Sequence, residues 1–140
     1  MANRYTTQFF NTLSKGITGI YARVTFGAAG APTIDRSGFQ SQGVVSVTRN
    51  STGLYTVVLG TQTGMLDVYF KLLMVKHLFD ESGNGGSAPA APGMFLVANS
   101  VAVAGTCSFQ IEFNSAGVAT DPASGEAVCL EIVLKNSTAP

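Results

Sequence analysis

From Gly19 onward the chain alternates. Ile20, Ala22, Val24 and Phe26 share one phase, and Tyr21, Arg23 and Thr25 share the other. A period of two with one apolar side predicts a half-buried strand. Gly27 to Thr33 is rich in Ala and Gly with a Pro, and reads as a loop. Two β-branched runs follow, Val44 to Arg49 and Leu54 to Leu59, around Asn50-Ser-Thr-Gly53. A short polar turn ending in Gly supplies the positive φ that a tight hairpin needs. Gly60 to Gly64 is a second turn.

The run Leu66 to Phe79 is apolar nearly throughout. A helix would gather Asp67, Lys71, Lys76 and His77 on one face, but they scatter around the wheel. A strand puts Val68, Phe70, Leu72 and Met74 on one face, with a bend midway where both faces turn apolar. Asp80 to Gly93 is crowded with Gly and Pro and predicts a long mobile loop. Strands resume over Met94 to Val103 and Thr106 to Phe113, with a turn near Ala104-Gly105. A loop containing Asp121-Pro122 and Ser124-Gly125 leads to a last strand, Ala127 to Lys135.

The expected organisation is an arm at residues 1–16, a β-sandwich domain over 17–135 and a flexible tail at 136–140. Many short strands with turn signals between them and no long amphipathic helix predict an all-β fold. Its simplest form is an antiparallel jelly-roll-like β-sandwich with an extended N-terminal arm. An immunoglobulin-like sandwich has less support, because there is no Trp and no suitably placed Cys pair.

Charge narrows the function. Eight basic and eight acidic residues make up 11% of the chain, where about 25% is usual. Monomeric domains cover their exposed area with mixed charges that discourage association. This chain offers Ser, Thr, Asn, Gln, Gly and Ala instead, which suggests a surface largely covered by another protein. The zero net charge and the lack of any Lys/Arg run argue against a nucleic-acid partner. The blandest stretch, Phe95 to Gly105, is too short to span a bilayer, so no membrane is expected. The first residues contain no apolar signal-peptide core, so we expect synthesis and initial residence in a cytoplasm. There the two cysteines, Cys107 and Cys129, should be free thiols. Their strand phases agree, one inward with Phe109, Ile111 and Phe113, the other outward.

Candidate chemistry is sparse. His77 is the sole histidine, and no Cys or His spacing suits a zinc site. A Ser-His-Asp set can be assembled on paper with Asp67 or Asp80, but no Ser sits in a G-x-S-x-G elbow. Glu112 and Glu131 project from the outer faces of their strands and would lie close if those strands paired. Asp80-Glu81 with Asp121 lacks the spaced ligands of a calcium loop. Gly83-Asn-Gly-Gly86 lacks the P-loop spacing. No enzyme, cofactor or metal is expected.

The arm is more informative. Phe9, Phe10 and Leu13 would cluster on one helical turn. Burying them against a partner yields about 5–8 kcal/mol gross, at ~1.5–3 per large apolar side chain. Ordering the arm's backbone costs about 1–2 kcal/mol per residue. Such an arm binds weakly alone and usefully as one of several linked contacts. These three residues are the candidate partner contacts, with the Ser82 to Pro92 loop as a weaker one.

The hairpin Gly43-Val-Val-Ser-Val-Thr-Arg-Asn-Ser-Thr-Gly-Leu-Tyr-Thr-Val-Val-Leu59, with the chain length and the polar arm, resembles the capsid decoration (cementing) proteins of tailed bacteriophages, most closely those of short-tailed Bordetella phages. The resemblance implies a jelly-roll body. It also implies a virion location, on the outside of an icosahedral shell of major capsid protein whose neighbouring subunits it cements. The expected self-association is a homodimer, with a homotrimer as the alternative. No functional residue carries over from it. The competing expectation is a carbohydrate- or receptor-binding module of a phage fibre or head appendage.

Overall fold

The computed structural model describes residues 17–36, 43–59, 70–80, 93–99 and 108–136. These residues form two antiparallel sheets. The strands are β1 (Ile17–Phe26), β2 (Pro32–Ile34), β3 (Val44–Ser51), β4 (Leu54–Leu59), β5 (Phe70–Asp80), β6 (Gly93–Asn99), β7 (Ser108–Ser115), β8 (Val118–Ala119) and β9 (Ala127–Asn136). One sheet has the order β2-β1-β9-β5. The other has the order β3-β4-β7-β6, with β8 beside β7. The protein is thus an all-β antiparallel sandwich, as its alternation predicts. None of its described helical residues form a helix long and apolar enough to cross a membrane, which leaves strand-built crossings unaddressed.

Alternation sets the core. β1 and β9 pair from Ile17↔Lys135 to Thr25↔Ala127, so the first and last strands lie side by side. Their inward phase is Ala22, Val24 and Phe26 with Val128, Leu130, Ile132 and Leu134. Tyr55, Val57 and Leu59 of β4 and Phe109, Ile111 and Phe113 of β7 meet them from the other sheet. Rings fill one end. Phe26, Tyr55 and Phe113 stand edge to face, with centroids 5.3–5.6 Å apart. Each such pair adds about 0.5–1.5 kcal/mol beyond its burial.

The hairpin forms where the sequence places it, though its turn is tighter than expected. β3 runs through Ser51, which pairs with Leu54, so only Thr52 and Gly53 lie between the paired ends. Gly53 has φ +72°, and a Cβ there would come within 2.6 Å of the Phe113 carbonyl oxygen. Two short strands arise inside segments read as loops. Pro32–Ile34 pairs with β1, and Val118–Ala119 pairs with β7. Runs of two or three residues are too brief to show a period.

Two expectations about facing need correction. Leu72 and Met74 do not share a face. A bulge at Leu73 breaks the register of β5 against β9, and one extra residue reverses the phase. Leu72, Val75 and Phe79 therefore pack on the core, while Met74 turns outward. Glu112 and Glu131 are not neighbours either, because β7 and β9 belong to different sheets and their outer faces point in opposite directions. Glu131 sits between Tyr21 and Lys76, and Glu112 between Leu54 and Phe95. The turn near Ala104-Gly105 and the end of the expected Met94–Val103 strand lie outside the described residues.

Candidate functional site

Two features stand out, one polar and one apolar. The polar one is a knot around Asp121. Turn geometry at Gly53 aims its N–H at the β8–β9 loop, where it donates to Asp121 Oδ1 at 2.8 Å. Arg49, three residues before the turn, donates from Nε to Oδ1 at 3.0 Å and from Nη2 to Oδ2 at 2.7 Å. Tyr55, on the inward phase of β4, reaches the same Oδ1 at 2.8 Å and the Gly30 carbonyl at 2.9 Å. Its hydroxyl has one hydrogen and two acceptors, so it divides its donation between them. A Cβ at Gly30, which has φ +70°, would lie 2.5 Å from the Tyr55 hydroxyl.

This arrangement fixes protonation states. Arg49's hydrogen bonds hold the Asp121 carboxyl below the usual aspartate range, aided by Gly53 and Tyr55 against the opposing effect of burial. Burial, then the Asp121 carboxylate, pushes the Tyr55 phenol well above its ordinary value. Asp121 raises Arg49. A carboxylate already serving four donor contacts is a poor proton acceptor, and a phenol held protonated is a poor nucleophile. The knot suits a latch, tying the β3–β4 turn to the β8–β9 loop and to the turn at Gly30.

Nearby, Glu126 is 1% exposed. Its Oε2 accepts from the Ala123 N–H at 2.7 Å, while Oε1 has no partner. Buried polar atoms are normally paired, and nothing in the structure explains this one.

Several other charges are also committed to the fold. Arg23 donates to Asp80 at 2.8 Å and pairs with Asp35 at 3.5 Å, tying β1 to the end of β5 and the end of β2. Lys76 lies 3.6 Å from Glu131. Arg36 donates to the carbonyls of Val44 and Val45, each at 2.9 Å. Asp80 therefore serves Arg23 on the outer face, while His77 stands edge to face with Phe79 at 5.5 Å. Burial lowers the His77 pKa. Among the described residues no three His, Cys, Asp or Glu side chains gather as metal ligands. Cys129 is a free, half-buried thiol.

The apolar feature is the sandwich edge built from β5 and β6, which are terminal strands among the described residues. Leu73, Met74, Leu78, Phe95, Leu96 and Val97 are all exposed there, Leu78 by 69% and Phe95 by 58%. On the outer face beside β5, Tyr21, Lys76, Leu78, Cys129 and Glu131 line a shallow cavity of about 270 Å³.

The sequence-derived contact residues Phe9, Phe10 and Leu13, and the Ser82 to Pro92 loop, lie outside the described residues. Sequence reasoning missed the Asp121 knot. Its only trace was the Gly53 turn, because the partners are separated by up to 72 positions. It also missed the edge, whose apolar runs were legible but not their place in the sheets. Compared with protein-family models, curated proteins and solved structures, the chain matches none.

Proposed function

We propose that this chain is a structural virion protein. It binds the outside of a phage capsid shell and cements neighbouring major capsid subunits, working as a homo-oligomer and without catalytic turnover. The observation that carries this reading is how charge and apolar surface are divided. The described ion pairs hold strands and loops together, while large apolar side chains stand exposed, six of the ten such side chains among the described residues lying on β5 and β6. Grouped, exposed large apolar side chains are a mark of a contact surface. The pairing of the first and last strands at the centre of one sheet, with chain crossings between sheets after β2, β4, β5 and β8, supports a jelly-roll body. The Phe9, Phe10 and Leu13 arm adds a second linked contact in this reading.

The test mixes the purified chain with undecorated phage heads and measures co-sedimentation. Saturable occupancy is expected, and copies per shell report the oligomer. Deleting residues 1 to 15 should leave a folded body with much weaker shell binding. Absence of any co-sedimentation, together with saturable binding on a glycan array, would replace this function with the receptor-binding one.

A further inference from the structure

We draw no further inference here: the strongest candidate, the shallow cavity on the outer face beside β5 lined by Tyr21, Lys76, Leu78, Cys129 and Glu131, has its Lys76 and Glu131 charges paired with each other at 3.6 Å, and nothing in the structure shows what covers it.

Discussion

Tyr55→Phe removes one oxygen from the centre of the Asp121 knot and leaves the ring in its cage. Tyr55 is fully buried, so water cannot replace the lost bond. The Gly30 carbonyl, 2.9 Å from the hydroxyl, loses that donor. Asp121 Oδ1 keeps Arg49 and Gly53 but loses its 2.8 Å contact with Tyr55. A hydrogen bond to a charged acceptor contributes about 1.5–3 kcal/mol. Removing it should lower the melting temperature by roughly 5–12 °C for a domain of this size. Urea denaturation followed by circular dichroism at neutral pH measures the cost directly. Acid supplies a signature that simple ring repacking lacks. The folded Asp121 pKa is depressed, so its contribution is fully present above the ordinary aspartate value of about 3.9. It is lost as pH falls through the lower folded value. Tyr55 donation is one cause of that depression, so the gap between wild type and variant should narrow as pH drops from about 4 toward 2. A cost below about 0.5 kcal/mol at neutral pH, the size of an ordinary surface change, would refute the reasoning. A gap that ignores acid would do so as well.

Other outcomes follow from the same contacts. Gly53→Ala should destabilise the fold by more than the ~1 kcal/mol of a relaxed glycine change, because φ is +72° and the new Cβ meets the Phe113 carbonyl; urea midpoints check this. Phe113→Ala, which empties the centre of the ring cluster, should cost about 3–5 kcal/mol in the same assay. His77 has a lowered folded pKa, so its neutral form is favoured in the fold. Its stabilising share is complete above about pH 6.5 and declines as pH falls below it. A His77→Phe variant should flatten wild-type melting temperatures between pH 7 and 5, and unchanged curvature would argue against that origin.

Much of this architecture is written in local pattern. Alternation at Ile20–Phe26, Leu54–Leu59 and Ala127–Leu134 fixes which side chains face inward, because a strand's period is two whatever it pairs with. The Asn50 to Gly53 turn declares its hairpin, because the needed positive φ is a property of one residue. What the sequence left open depends on partners far along the chain. The bulge that turns Met74 outward is set by register against β9, and alternation cannot see an extra residue until the ladder exists. Asp121 reads as a plain loop residue until folding brings Arg49, Gly53 and Tyr55 to it. Glu112 and Glu131 look alike in phase, and only the division into two sheets puts them on opposite faces. Apolar runs at Leu72–Val75 and Met94–Val97 read equally well as central strands. Their place at the ends of the two sheets follows from the strand order, and it leaves Leu96, opposite buried Ile111, half exposed. A strand's face is a local property of the chain. Its position in a sheet depends on every other strand, and for that reason only the tertiary structure decided it.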